Sequence, residues 1–358
     1  MPHEAQERYS SLVLAKMRSE NILKDGIIFN NDYEGDPVAG AVKVPVRDGE
    51  VKVGDYDRSA GGELSESSTE YRPILINREK YVNELIDSYD AASVPDNIVA
   101  DRLDSAGYSM ANALDRDGAS TLISQGTRVN ISAVSSATVY SEVVDIRTLM
   151  SKANVPNDGR RYLLVTPDIY AAMLKSPLFV QASALGDDVK QSGAVGKMAG
   201  FTVYEWNDDT ANLAMIAGHP RFATRINAWK VPIAIKDLAD STHIGASAVQ
   251  GRSVYGHEVL RKDAIYAVFS AGSLTLTQGA FASDKCKVTV AETATSAFAY
   301  RVNPAKRAAL DEDFTAIATS NAFTSNSTQI SCKKGDIIEI IDLDSNKKAV
   351  KVGYITIA

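Results

Sequence analysis

Few residues in this chain have both the type and the spacing that chemistry requires. Gly193, Gly196, Lys197 and Gly200 fall within QSGAVGKMAG and suggest a loop wrapped around a phosphate. Such a loop needs Gly, four residues, then Gly-Lys and Ser or Thr, so that backbone N–H groups cradle the anion and the hydroxyl meets Mg²⁺. Gln191 stands where the first glycine belongs and Met198 follows the lysine, which leaves a Gly-rich turn before a strand. GYSMA at Gly107–Ala111 misses the nucleophile elbow of serine hydrolases by its last residue, and Ser109 sits in a stretch of helical periodicity rather than at a strand-to-helix turn. His219, His243 and His257 are isolated, with neither a second histidine nor a cysteine at ligand spacing. Asp342, Asp344 and Asn346 imitate the first three ligands of a calcium loop, but Lys347 replaces the required glycine and no acid closes the loop. Asp87, Asp90 and Asp96 read as the charged entry to a helix. No catalytic constellation survives. The expectation is a non-enzyme with no cofactor and no metal.

The elements that would position a site explain more. The chain has 358 residues, 45% hydrophobic and 23% charged, enough for two or three domains with a sizeable core. Two cysteines exclude a disulfide scaffold, and a net charge of −7 excludes a strongly basic nucleic-acid footprint. The start, MPHEAQERYS, lacks the basic-then-apolar pattern of a signal peptide, and no apolar run approaches a membrane span. A soluble protein made in a cytosol follows, with Cys286 and Cys332 reduced and an intersheet disulfide between them as the alternative. Residues 31–90 carry 14 acids against 7 bases, so the acidic excess is concentrated there.

Residues 9–24 read as a short amphipathic helix or arm, with Leu14, Met17 and Leu23 on its buried face. In AVKVPVRDGEVKV, Val42, Val44 and Val46 alternate with polar residues and Pro45, Asp48-Gly49 forms a tight turn, and Val51 and Val53 resume the alternation. Pro45 lacks an N–H, which confines this strand to an edge or to pairing on one side. The stretch DYDRSAGGELSESSTE has almost no apolar content, and Ile74, Leu75 and Ile76 return the chain to a core. A hairpin with so thin an apolar stripe needs a partner surface, in the same chain or another.

Residues 93–125 read as one long helix, capped by Ser93 with Pro95 in its first turn. Val99, Leu103, Ala106, Met110, Ala113 and Leu114 form its buried face. Val139, Val143, Ile146, Met150 and Ala153 step at the helix period. After the Asn-Asp-Gly turn come a strand at 162–165 and a helix capped by Thr166, an α/β unit. Strands follow at 201–206 and 213–217, and 254–270 reads as two more joined by Arg261-Lys262-Asp263. Beyond Gly272 the alternating Thr, Val and Ile and the turn clusters describe a small all-β domain.

Three stretches together resemble a known family, the tailed-phage major capsid proteins of the Hong Kong 97 type. GAVKVPVRDGEVKVGDYDR with its return ILINREKYVNELIDSYDAASVP is similar to the family's extended loop running into its spine helix. VPNDGRRYLLVTPDIYAAMLKSPLF is similar to the family's Val-Pro, Gly-Arg, apolar strand, Pro and short helix, and SGAVGKMAGFTVYEWN to the strand entry of its axial domain. The resemblance implies an α+β capsid fold with a small C-terminal all-β domain added. Its parts are an N-terminal arm (1–30), an extended loop (31–78), the spine helix and peripheral domain (79–135), an axial domain (136–252), return strands of the peripheral domain (253–272) and the C-terminal β domain (273–358).

It implies self-assembly as hexamers and pentamers into an icosahedral head around double-stranded DNA. It also implies a portal protein, no membrane, and residence in the virion after assembly in the host cytoplasm. The short stretch before the hairpin points to a separate scaffold protein or to unaided assembly. Lys43, Arg47, Glu50, Lys52, Asp55, Asp57 and Arg58 on the loop are the expected intersubunit contacts. Lys43 and Lys52 leave a covalent cross-link open. The alternatives are an encapsulin-like nanocompartment shell and a phage tail or adhesin protein.

Overall fold

The computed structural model describes residues 22–33, 40–46, 53–56, 58, 69–87, 98–176, 196–238, 242 and 244–358. By density of contacts the chain divides into two units, one of residues 1–125 and 220–262, the other of 126–219 and 263–358. The range expected as the axial domain, 136–252, is thereby shared between them.

The first unit is built on a long helix and a long sheet. Numbered along the whole chain, its elements are β1 (Ala41–Val46), β2 (Glu70–Leu75), β3 (Arg78–Asp87), α1 (Ile98–Gln125), β9 (Ala223–Asp237) and β10 (Ala246–Val259). Strands β3, β10 and β9 form an antiparallel sheet with β10 in the centre. At 1.5 Å per residue, the 28 residues of α1 span about 42 Å. Alternation sets one sheet face toward α1: Ile86 and Val249 bury with Ala106, and Val82 and Ile233 pack on them. On the other face Arg252 pairs with Glu79 and lies 5.2 Å over the Trp229 ring, beside the exposed Tyr81.

Burial along α1 departs from the expected stripe. Ala106, Asp115, Gly118, Ala119, Thr121 and Leu122 are its buried positions, whereas Leu103 is exposed and Met110, Ala113 and Leu114 are half-buried. The helix packs most deeply through its second half, where small residues let neighbouring chain approach. Ser93, Pro95 and Asp96 lie outside the described residues, as do Leu14 and Met17 of the expected arm. Of that arm Leu23 is buried, and residues 22–24 are not helical.

The second unit contains the α/β motif. Its elements are β4 (Thr127–Ile131), α2 (Val139–Lys152), β5 (Tyr162–Val165), α3 (Pro167–Leu174), β6 (Lys197–Met198), β7 (Phe201–Glu205), β8 (Leu213–Gly218) and β11 (Tyr266–Ser270). The six-stranded sheet runs β4-β11-β8-β5-β7-β6. Every residue of β5 and β8 is buried, as expected of central strands covered on both faces. Val139, Val143, Ile146 and Met150 are buried as their spacing predicts, while Ala153 is exposed. Thr166 has the extended backbone of an N-cap, but its hydroxyl donates to the Ala214 carbonyl instead of capping α3.

The regular elements beyond Gly272 are mostly strands: β12 (Gly272–Ser273), β13 (Leu276–Ala282), β14 (Lys285–Val290), β15 (Ala297–Val302), β16 (Ala322–Phe323), β17 (Ile330–Ser331), β18 (Ile337–Leu343) and β19 (Ala349–Thr356), with one helical turn α4 (Thr315–Ala318). A five-stranded sheet, β12-β19-β18-β15-β16, and a three-stranded one, β13-β14-β17, share a core that includes Val288, Phe298, Phe323, Ile330, Ile338 and Ile340. Leu310 N–H donates to the Ile131 carbonyl, and Arg128 pairs with Asp311 at 2.9 Å, so this segment is tied to the edge of the six-stranded sheet.

Candidate assembly interface

The ribbon of β1 and β2 is the element whose two faces differ most sharply. Its register places Val44 opposite Arg72 and Val42 opposite Ile74. Val44 and Ile74 are buried with Ile226 and Leu260, and Tyr33, Val42 and Ile76 pack against them. Arg72 donates from Nη1 to the Leu260 carbonyl at 2.9 Å. Where the chain leaves the ribbon it passes close to β10: a Cβ on Gly256 would lie 2.3 Å from the Leu75 carbonyl oxygen, so no larger residue fits. The ribbon's base is therefore anchored in its own subunit by four apolar side chains and a hydrogen-bonded arginine.

The opposite face of the ribbon is uncovered. Pro45 and Pro73 are exposed, and Tyr71 and Leu75 expose 63% and 51% of their surface. Beyond the ribbon, Val53 is 98% and Tyr56 75% exposed. Paired strands that offer apolar side chains on one face and bury the other are suited to receiving a second surface.

Among the described residues the partner of β1 is Glu70–Leu75, and Val53, expected in the second strand of a hairpin, lies in a stretch, 53–56, that forms no strand. The expected turn at Asp48-Gly49 and Val51 lie outside the described residues. Residues 70–75 bring Ile74 to the buried face. Among the described residues β1 pairs with β2 alone, so the lost N–H of Pro45 costs no ladder bond on a second side there.

Of the expected contact residues, Lys43, Asp55 and Arg58 are exposed. Lys43 stands across from Pro73 on the uncovered face. Arg47, Glu50, Lys52 and Asp57 lie outside the described residues.

A buried polar network in the same unit joins segments that the sequence reading left unconnected. Arg225 on β9 is almost fully buried, and its Nε donates to Nε2 of His257 on β10 at 2.9 Å. Its Nη1 donates to Asp25 at 3.1 Å, and Nη2 lies 3.8 Å from Asp115 on α1. The guanidinium sits 4.9 Å from the centre of the Phe29 ring. Asp115 accepts the backbone N–H of Leu23. Residues 23–30 are thus strapped onto α1 and β9, and the backbone completes the attachment: Asn30 N–H donates to Ala223, and Arg225 N–H to Asn30. A Cβ on Gly118 would meet the Phe29 ring at 2.9 Å, so glycine is the residue that admits the strap.

The electrostatics follow from burial. Desolvation, then the charges of Arg225 and Arg78, hold His257 down at about 3. Its imidazole is neutral and accepts from an arginine, which removes it as a general base. Burial raises the Asp115 carboxyl against the opposing pull of the Leu23 N–H and Arg225, and lowers Arg225. Tyr255 donates to Asp117 at 2.8 Å, and burial, followed by that hydrogen bond, raises its phenol. The spacings of Asp25, Asp115, Arg225 and His257 bear no periodic relation, so no signal in the sequence links them.

In the second unit His219 is buried and pairs with Asp158 at 2.9 Å, an interaction that lowers the Asp158 carboxyl. A cleft of about 490 Å³ lies along α2, where Glu142 and Asp145 line it with Lys306 and Arg307. Burial and then Asp145 raise the Glu142 carboxyl. The two acids and two bases balance each other's charge along this cleft. Lys197 belongs to β6, which Ala199 and Gly200 turn back into β7. Asp342 accepts from the N–H and hydroxyl of Thr295, and Asp344 from the N–H groups of Asn346 and Lys348. These acids close turns. Ser109 is an exposed position in the middle of α1, and His243 lies outside the described residues. Among the described residues, no group of three His, Cys, Asp or Glu side chains could hold a metal ion, and no helix is long and apolar enough to cross a membrane.

A family described as phage capsid protein matches residues 76–268. No curated protein matches the chain. Among solved structures, a protein of Mycobacterium phage Che8 is 19% identical and superposes with a TM-score of 0.63, covering 74% of this chain and 96% of its own. The capsid of cyanophage P-SCSP1u is 15% identical, with a TM-score of 0.61 and coverages of 74% and 93%. The capsid of an empty GTA particle is 16% identical, with a TM-score of 0.55 and coverages of 75% and 96%.

Proposed function

The chain belongs to the phage capsid protein family and is a shell-forming capsid protein, and on that premise we propose that it builds the icosahedral head of a tailed phage as hexamers and pentamers. The observation that carries this reading is the family match over residues 76–268, which takes in α1, the α/β unit and β10 and ends within β11. In this reading the fold is of the Hong Kong 97 type. The long helix is its spine, and residues 31–78 are its extended loop.

The shell encloses double-stranded DNA, with a portal protein at one vertex and a separate scaffold protein during assembly in the host cytoplasm. The subunit catalyses nothing and binds no cofactor. Shells of this kind need surfaces that repeat with a fixed rotation. The uncovered face of the ribbon is one, and a neighbouring copy would cover Tyr71 and Leu75. Lys43, Arg47, Glu50, Lys52, Asp55, Asp57 and Arg58 would lie along the same contact. Residues 32–72 carry ten acids and five bases, so the partner surface should be basic.

Residues 273–358 are assigned to the outer surface of the shell as a decorating β domain. Their own two-sheet core supports this, since it gives the segment a fold that the capsid match does not require. Electron microscopy of the expressed protein, alone and with a phage scaffold, tests the whole proposal. Closed shells are expected. Only monomers under both conditions would overturn it.

A further inference from the structure

Cys286 and Cys332 are both free thiols, both buried, and both part of the core between the two C-terminal sheets. They are 46 positions apart in the chain. Cys286 lies on β14, where its ladder partner is Ile330 on β17, and Cys332 follows two residues later on the same face. The ladder continues past the named strand, because Cys332 N–H donates to the Asp284 carbonyl at 3.0 Å. The two cysteines are therefore diagonal neighbours on one face of one sheet, not members of opposite sheets.

We propose that Cys286 and Cys332 form a redox site, two thiols under reducing conditions and a cross-strand disulfide when the protein meets an oxidising medium. The chemistry needs an external disulfide as oxidant, for example oxidised glutathione. The Cys332 thiol loses its proton, and its sulfur attacks one glutathione sulfur, expelling a glutathione thiolate. The Cys286 thiolate then attacks the Cys332 sulfur of the mixed disulfide and expels the second. Two protein thiols are oxidised, one glutathione disulfide is reduced to two thiols, and the protons go to those products. Cys332 is the first to react because it is the more exposed of the two and lies just past the end of its strand. Burial and the neighbouring thiol push Cys286 up to about 12, so the reaction is slow at neutral pH.

The site also has a structural effect. The ladder joining β14 to β17 is short: the pairs Lys285 with Ser331 and Cys286 with Ile330, extended by the Cys332 N–H to the Asp284 carbonyl. A disulfide asks the two Cα atoms to come within about 7 Å, and so short a ladder, beside the tight turn at Ser283-Asp284, is where the sheet can yield. The bond would close a loop containing β15, β16 and α4, and so tie the three-stranded sheet to chain returning from the five-stranded one.

The test uses the full chain purified under reduction. One portion is kept reduced, and another is held with oxidised glutathione at mildly alkaline pH. Each is then unfolded, treated with maleimide and digested for mass spectrometry. Expected in the oxidised portion are a peptide linking Cys286 to Cys332, no maleimide on either, and a melting midpoint higher by about 5–10 °C, reversed by dithiothreitol. The wild-type comparison needs no variant to fold. A C286A/C332A chain that folds should show no shift between the two conditions. Full maleimide labelling of both cysteines after oxidation, a glutathione adduct on Cys332 without ring closure, or a linkage between chains would each overturn the proposal.

Discussion

Arg225 and His257 stand side by side on neighbouring strands, the guanidinium Nε donating to the imidazole Nε2 at 2.9 Å inside a buried site. An arginine as donor requires the histidine to be neutral. His257 is lowered to about 3 in the folded chain from an ordinary value near 6.5. Between those values the unfolded state binds the extra proton, so stability rises with pH across the window and is lost as pH falls from about 6.5 toward 3. At pH 5 the loss from this residue is about 2 kcal/mol. Asp115, which is raised, contributes with the opposite sign at the acidic end, so the total slope is shallower. His257→Gln keeps an acceptor but does not titrate. Urea unfolding at pH 7 and pH 5 should show the variant losing less stability than the wild type.

Removing the guanidinium while leaving its partners is the costlier change. Arg225→Leu leaves Asp115 and Asp25 facing an apolar group, and a broken buried pair costs about 3–5 kcal/mol. Asp115→Leu in the same chain should return part of that loss, although the Leu23 N–H then lacks its acceptor. Denaturant midpoints of the two single variants and the double variant measure the coupling. Simple additivity would mean that the charges do not act together.

Gly118→Ala tests the strap directly. Helix propensity favours alanine by about 1 kcal/mol, but the new methyl would meet the buried Phe29 ring at 2.9 Å. Overpacking costs about 1–3 kcal/mol, so a net loss is expected. Phe29→Leu in the same chain should relieve the clash, and thermal melts of both chains decide it.

The uncovered face of the ribbon can be altered without touching the core. Tyr71→Asp with Leu75→Asp changes two side chains more than half exposed. Such surface changes are usually worth within about 0.5 kcal/mol in the folded chain. The melting midpoint should stay near wild type while the yield of shells in sedimentation falls by an order of magnitude or more. Normal shell yield would exclude this face from the contact.

The acidic loop makes a separate prediction. Reversing Glu50, Asp55 and Asp57 together should impair assembly and leave the monomer folded, and the defect should deepen at low ionic strength, where charges interact over a longer range. Individual surface pairs are weak, so single reversals should have small effects. Light scattering across a salt series reads both.

Much of the architecture was legible because it rests on local periodicity. Val139, Val143, Ile146 and Met150 recur at the spacing of a helix face, and all four are buried. The strand at 162–165, the Gly-rich turn before β7 and the strands beyond Gly272 were readable in the same way, since short-range patterning decides which face of an element avoids water. Tertiary structure decided what pairs with what. β1 took its partner from residues 70–75 because Ile74 could join Val44, Ile226 and Leu260, a gain no local pattern can register. Asp25, Asp115, Arg225 and His257 meet only because a strap, a helix and two strands converge, and desolvation there sets their charges. The two cysteines became neighbours in one sheet by the same long-range pairing. Sequence spacing carries the period of an element, whereas burial and contact across a hundred residues arise from packing, which exists only once the chain has folded.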